Sequence, residues 1–282
     1  MKNIIYALKN RLNFIHKYFL NSNYHRVPFK EMFFHLFSPT CEVIAKRFVE
    51  NVGSDSNYNY FRIKGFDEKF CYPKLIPYHH FAQVISEGMQ NRHWHFYEIP
   101  ETTVEPEDIV LDCGSAEGFF SFQNQNKCKK IYVVEPLPIF VESLNNLFFN
   151  KSNIEIMPFA LGDKCDTLFI EPSNIGSVIK NTNNSNSDSI KIDCFTVDKL
   201  FFEKDLKVTY IKADLEGYEE KMILGALKTI KKWRPKIAIT TYHRENDYLK
   251  ILALVKSVIP DINYKIKGYE NVEGKPVMLH MW

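Results

Sequence analysis

No two of the six cysteines, Cys41, Cys71, Cys113, Cys128, Cys165 and Cys194, form a Cys-x-x-Cys pair. That absence removes the zinc knuckle and the compact disulfide framework, and a reducing cytoplasm is the expected compartment. An excess of one charge is also missing. The 36 basic and 34 acidic residues leave a net +2, too weak a field to hold a phosphate polymer, so nucleic acid is not an expected partner. No run reaches the roughly 18 uninterrupted apolar residues of a spanning helix. The N-terminus has no contiguous apolar stretch followed by small cleavage-site residues, so secretion is not expected. Apolar and charged fractions of 45% and 25% fit a soluble globular chain, and 282 residues allow one or two domains.

The first 30 residues lack acids altogether and carry Lys2, Lys9, Arg11, Lys17, Arg26 and Lys30. Ile5, Leu8, Leu12, Ile15 and Phe19 recur at three or four and share one helical face. Two readings stay open: a basic amphipathic helix on an anionic membrane surface, or a helix packed on its own domain or on a second copy of the chain. Packing is the preferred one. Residues 31–90 alternate between helix, over 41–51 and 79–89, and short extended pieces near 60–65, with a loop at 53–57. We therefore draw a mainly helical N-terminal extension over residues 1–90 and a second domain over 91–282.

What is present in that second domain is an alternation of strand and helix. Apolar runs at 109–111, 130–134, 153–159, 207–213 and 236–241 are separated by helical segments at 139–150 and 219–231, which implies a parallel α/β sheet with right-handed crossovers. A polar low-complexity run at 181–189 reads as a surface loop, followed by an extended piece at 190–195. Segments 262–267 and 276–281 read as a final antiparallel pair.

The first strand ends in Asp112-Cys113-Gly114-Ser115-Ala116-Glu117-Gly118. A strand, a carboxylate, two glycines and a helix are the order in which such a sheet builds a nucleotide pocket. The third glycine of a dinucleotide loop is missing and Glu117 would repel a pyrophosphate, so a nucleoside joined to an amino acid fits better, with Asp112 anchoring its ammonium group. Strand two ends in Glu135-Pro136, where a carboxylate accepts both ribose hydroxyls. In His93-Trp94-His95-Phe96-Tyr97 the two histidines at i and i+2 have no third ligand at fixed spacing, so packing and a cofactor-lid role for Trp94 and Tyr97 outweigh a metal.

The segments VLDCGSAEGFFS, YVVEP, NIEIMPFALGD, YIKADLEGYEEKMILGA and PKIAITTYH resemble the FkbM family of S-adenosylmethionine-dependent methyltransferases, over about the C-terminal two thirds of the chain. The resemblance implies a class I methyltransferase fold: a Rossmann-like, doubly wound, seven-stranded sheet ordered 3-2-1-4-5-7-6 with strand 7 antiparallel. It further implies that Asp112, Gly114, Ser115 and Gly118 line the methionine end of the donor and Glu135 and Pro136 the ribose. Where many class I enzymes hold adenine with a carboxylate, this chain has Phe159-Ala160-Leu161-Gly162, so adenine is expected on Ala160, backbone and apolar side chains, with Asp163 as a further candidate.

Ligands in open α/β sheets bind beyond the carboxyl ends of the strands, which makes Lys212-Ala213-Asp214-Leu215-Glu216-Gly217-Tyr218-Glu219 and Thr240-Thr241-Tyr242-His243 the acceptor side. An alcohol acceptor needs a base or a metal. Asp214, His243, Lys212 and Glu219 are the catalytic candidates, with His243 a base of suitable ordinary pKa and Asp214 a base or its orienter. A divalent cation among Asp214, Glu219 and His243 is a second route, not favoured because no spacing fixes its geometry. The expected reaction is O-methylation of a hydroxyl on a sugar, glycan precursor or related metabolite, a substrate class that rests on the family resemblance. A nicotinamide-dependent oxidoreductase and a non-catalytic membrane- or partner-binding module are the competing readings.

Overall fold

A computed structural model describes residues 12, 15–16, 18–20, 29–170, 179–180, 189–245, 247–270 and 275–282. Ile5, Leu8 and most of the 181–189 run lie outside them. Of the expected N-terminal face, Ile15 packs on the core, but Leu12 (66% exposed) and Phe19 (59%) point outward. Tyr18 is buried in their place, its ring edge-on to Phe29. Among the described residues no helix is long and apolar enough to cross a membrane. All six cysteines are free thiols.

Helices α1 (Phe29–Phe37) and α2 (Cys41–Ala45) lead into a three-stranded antiparallel meander of β1 (Val49–Ser54), β2 (Tyr58–Ile63) and β3 (Lys69–Pro73), closed by α3 (Tyr78–Met89). The helix expected over 41–51 thus stops at Ala45, and the extension carries a sheet between its helices. Cross-strand pairing decides this. Phe61 and Ile63 of β2 face inward, and Phe61 stacks on Phe81 of α3 with ring centroids 4.3 Å apart. The Asp55 carboxylate accepts the Asn57 and Tyr58 backbone N–H groups and closes the β1–β2 turn.

The extension is not a separate body. Phe70 of β3 meets Phe119 and Phe122 edge-on, at 5.7 and 5.1 Å. One buried cluster runs from Met32, Phe61 and Phe81 through these rings to Val110 and Ile131 of the central sheet. The boundary drawn at residue 90 therefore cuts a shared core.

That central sheet has seven strands. They are β4 (Ile109–Cys113), β5 (Lys130–Val134), β6 (Ile154–Met157), then, after a smaller four-stranded sheet of β7 (Ala160–Leu161), β8 (Asp166–Ile170), β9 (Ile179–Lys180) and β10 (Ile190–Phe195), β11 (Tyr210–Ala213), β12 (Lys236–Thr240), β13 (Tyr264–Tyr269) and β14 (Pro276–Met281). Across the sheet the order is β6-β5-β4-β11-β12-β14-β13, parallel up to β12, with β14 antiparallel to both neighbours. Helices α4 (Phe119–Asn124), α5 (Pro138–Leu147), α6 (Glu219–Leu224), α7 (Leu227–Trp233) and α8 (Asp247–Val258) connect the strands. The single helix expected over 219–231 breaks at Gly225. A Cβ there would lie 2.1 Å from the Gly162 carbonyl, so the chain turns where backbone meets backbone.

β4 and β11 lie side by side in the middle, and the crevice lies beyond their carboxyl edge. Both are buried on two faces, which explains their near-continuous apolar sequence.

Candidate active site

The sheet places Asp112 and Lys212 directly opposite each other on β4 and β11, and both are buried. Lys212 Nζ lies 3.0 Å from Asp112 Oδ1 and donates to the Gly114 carbonyl at 2.6 Å. Asp112 Oδ2 accepts from Ser115 and Ser121 hydroxyls at 2.9 and 2.6 Å. Asp112 is therefore buried, braces the loop, and is not among the residues that line the cavity. Burial pulls the Lys212 pKa down, but Asp112 and Asp214 more than reverse that, and the ammonium stays charged.

Gly114 has φ +71, and a Cβ on it would sit 1.9 Å from the Asp214 carbonyl oxygen. Only glycine lets the loop after β4 cross the loop after β11 at this point. Gly118, at φ +84, lies against Leu144 of α5, so it serves helix packing and does not line the cavity.

Above this crossing lies one cavity of about 240 Å³. One end is lined by Gly114, Ser115, Ala116, Glu117, Glu135, Pro136, Ala160 and Leu161. Glu135 accepts the Ala116 and Leu137 N–H groups, both at 2.8 Å, which aims its carboxylate across the loop. Burial pushes Glu135 up to about 7 and Glu117 up to about 8, with Lys212 pulling each partly back. Asp163, a further candidate from the sequence, is exposed and away from the cavity. Its position two residues past Leu161 carries it beyond β7 to the surface.

At the other end the cavity reaches Asp214, Glu216, Lys212, Tyr97, His95, Tyr242 and Glu87. Tyr97 donates to Asp214 Oδ2 at 2.6 Å, and Thr240 donates to Asp214 Oδ1 at 3.1 Å. The Tyr97 ring lies over the Lys212 ammonium at 5.0 Å. The 93–97 segment is tied down by Trp94 packing onto Gly268, by Lys267 Nζ donating to the Phe96 carbonyl and by Tyr210 Oη donating to the Tyr97 carbonyl.

His95 and Glu87 were not singled out from the sequence as catalytic. His95 Nε2 lies 3.3 Å from Tyr242 Oη and 3.7 Å from Asp214 Oδ2, while Nδ1 lies 3.5 Å from Glu87 Oε2 on α3. The compact histidine-aromatic run was the visible signal. Its partners are a helix of the extension and a tyrosine 147 residues downstream.

His243 stands just behind the cavity wall. Its Nδ1 is 2.8 Å from Glu219 Oε1, and its Nε2 lies 3.3 Å from Glu216 and 3.8 Å from Asp214. Burial alone would lower its pKa, but the hydrogen bond it donates to Glu219 and the Asp214 and Glu216 charges raise it to about 9. His243 is thus paired with these carboxylates and is not among the residues that line the cavity. Asp214 is the reverse case: burial would raise it, yet His95, His243 and Lys212 draw it down to about 2. Glu219 is fully buried and also accepts the Leu215 N–H and the Thr240 hydroxyl, so it organises the loop without lining the cavity. Helix α6 starts at Glu219, which stands in its first turn.

The fold has relatives among solved structures. The methyltransferase FkbM of Methylobacillus flagellatus KT superposes with a TM-score of 0.50 at 20% identity, covering 71% of this chain and 54% of that one. This chain therefore spans about half the length of that protein. Fibrillarin of Aeropyrum pernix, solved with natively bound S-adenosyl-L-methionine, gives a TM-score of 0.42 at 11% identity over 83% of this chain and 97% of its own. Trm5b of Pyrococcus abyssi gives 0.43 at 10% identity over 82% and 56%. At such identities the likeness is one of fold. No curated protein sequence matches the chain. The model of the FkbM methyltransferase domain matches residues 112–266, more than half of the chain. Those residues carry the glycine crossing, Glu135, Asp214 and the Glu219–His243 pair, and the chain belongs to the FkbM methyltransferase domain family.

Proposed function

We propose that this protein is an S-adenosylmethionine-dependent O-methyltransferase acting on a hydroxyl of a sugar, glycan precursor or related metabolite. The observation that carries the reading is the continuity of one cavity from Glu135 and the Gly114 crossing to Asp214 and His95. When bound, S-adenosylmethionine supplies an electrophilic methyl group.

The chain's own residues fit that ligand. Glu135, already oriented by two backbone N–H groups, accepts ribose hydroxyls. Phe159, Ala160, Leu161 and Phe140 offer an apolar slot for adenine. Glu117, a carboxylate inside the cavity, takes the place expected of Asp112 as the counter-charge for the donor's cationic end. Buried carboxylates held near neutral pKa are relieved when a cation joins them.

On the acceptor side, His95 is the base we assign. It faces the cavity beside Asp214, and Glu87 at its other nitrogen orients the ring and stabilises the imidazolium formed as it takes the hydroxyl proton. Asp214 and Tyr97 position the hydroxyl. His80, Gln83, Val84 and Glu87 of α3 line the cavity together with Tyr72 and Ile76, a mixed polar and apolar surface suited to a neutral polyhydroxylated ring. With free thiols at every cysteine, the reducing cytoplasm is the compartment we assign.

The test is transfer of an isotope-labelled methyl group from S-adenosylmethionine to a pool of sugars and glycan precursors, read by mass spectrometry. Labelled methyl ethers are expected. Label only on nitrogen or carbon would overturn the O-methylation, and no donor binding would overturn the whole reading.

A further inference from the structure

Asp214, Glu216 and His243 each present one ligand atom to a common point, with the three atoms within 4.8 Å of one another. Acidic clusters are common without an ion, so the weight rests on the histidine. The His243 side chain is 10% exposed, and its Nε2 is buried without a hydrogen bond while aimed between Glu216 and Asp214. Its other nitrogen is held by Glu219 Oε1 at 2.8 Å, on a carboxylate that is itself fully buried. A buried carboxylate on one imidazole nitrogen, with the opposite nitrogen turned towards two further carboxylates, is the arrangement by which proteins orient a metal-binding histidine.

The backbone is also set for this. Glu216 adopts φ +50, a left-handed conformation that is unfavourable for a non-glycine residue and persists where surrounding structure enforces it. The turn folds Glu216 back over His243, although Glu216 is half exposed and has no core to fill. Asp214 Oδ1 accepts one bond, from Thr240, and a carboxylate oxygen has a second lone pair to give.

We propose that Asp214, Glu216 and His243 form a divalent-cation site at the acceptor end of the cavity, with Glu219 as the residue that positions His243. Two carboxylates and one imidazole suit a hard-to-borderline ion such as Mn²⁺. The set differs from the one weighed from the sequence: Glu216 is the ligand and Glu219 stands behind it. Because Asp214 and Glu216 line the cavity, an ion there faces the acceptor and can polarise its hydroxyl, a role that rests on the methyl-transfer reading.

The experiment is titration of the chelator-treated full chain with Mn²⁺, following free Mn²⁺ by electron paramagnetic resonance, with S-adenosylmethionine binding measured separately by calorimetry. One Mn²⁺ per chain is expected. Glu216→Gln and His243→Gln should weaken Mn²⁺ at least tenfold, and Glu219→Gln should weaken it through His243. Glu216 is half exposed, so Glu216→Gln is the variant that keeps its fold, shown by unchanged donor binding. Absence of Mn²⁺ binding in the wild type, or binding unchanged in Glu216→Gln, overturns the site. Donor binding that persists in that case leaves the methyl-transfer reading standing.

Discussion

Nδ1 of His243 lies 2.8 Å from Oε1 of Glu219, joining the loop after β12 to the first turn of α6 through a carboxylate with no exposed surface. Removing one member of a buried pair leaves the other uncompensated, typically at about 3–5 kcal/mol. Glu219→Ala is therefore expected to lose about that much stability, since the Leu215 N–H loses its acceptor as well. Urea denaturation checks it, and a loss below about 1 kcal/mol would show that the pair is not buried as described.

Gly114 and Gly118 both have positive φ, yet their surroundings differ. A Cβ at Gly114 meets a backbone carbonyl at 1.9 Å, whereas one at Gly118 meets the end of the Leu144 side chain at 2.4 Å. Backbone cannot yield as a side chain can, so Gly114→Ala should be the more damaging to thermal stability and donor affinity. The reverse order, measured by melting temperature and calorimetry on both variants, would contradict the crossing.

Donor affinity should rise with pH. Glu135 and Glu117 are raised to about 7 and about 8 by burial. Below these values both are protonated in the free protein, and a cationic donor must displace their protons. Affinity for S-adenosylmethionine should thus tighten from pH 6 towards pH 9. The stability of the free protein runs the other way. Each acid has a higher pKa folded than unfolded, so stability is lost as pH climbs from the ordinary carboxylate value through the folded one. Melting temperatures with and without donor should diverge as pH increases, and parallel curves would argue against this.

Phe70 packs the extension against α4, which covers the central sheet. Phe70→Ala should cost about 3–5 kcal/mol, as for other fully buried phenylalanines. The protein should still unfold in a single transition, with Trp94 fluorescence and far-ultraviolet circular dichroism coinciding. Two separated transitions would show that the extension has a core of its own.

Much of the central sheet was legible because buried parallel strands are apolar throughout and alternate with helices, a pattern that needs no long-range knowledge. Lys212 and Asp214 were legible by position, at the carboxyl end of a strand. The direction of Asp112 was not. Whether a carboxylate at the end of β4 points into the crevice or back to Lys212 depends on a cross-strand register, and register is not written in either strand alone. The β1–β3 meander was read partly as helix because short apolar runs fit either period until pairing decides. Glu87 and His95 escaped because they meet only when Trp94 docks on Gly268 and α3 packs across the crevice, contacts made between distant segments.

The central claim is that one cavity binds S-adenosylmethionine through Glu135 and takes the acceptor proton on His95. Calorimetric titration of the wild type, Glu135→Ala and His95→Ala with S-adenosylmethionine, paired with labelled-methyl turnover of each, tests it most directly. The account predicts donor binding in the wild type, at least tenfold weaker binding in Glu135→Ala for loss of charged hydrogen bonds worth about 1.5–3 kcal/mol, and near-normal binding with lost turnover in His95→Ala. Equal binding by the wild type and Glu135→Ala, or wild-type turnover in His95→Ala, would contradict it.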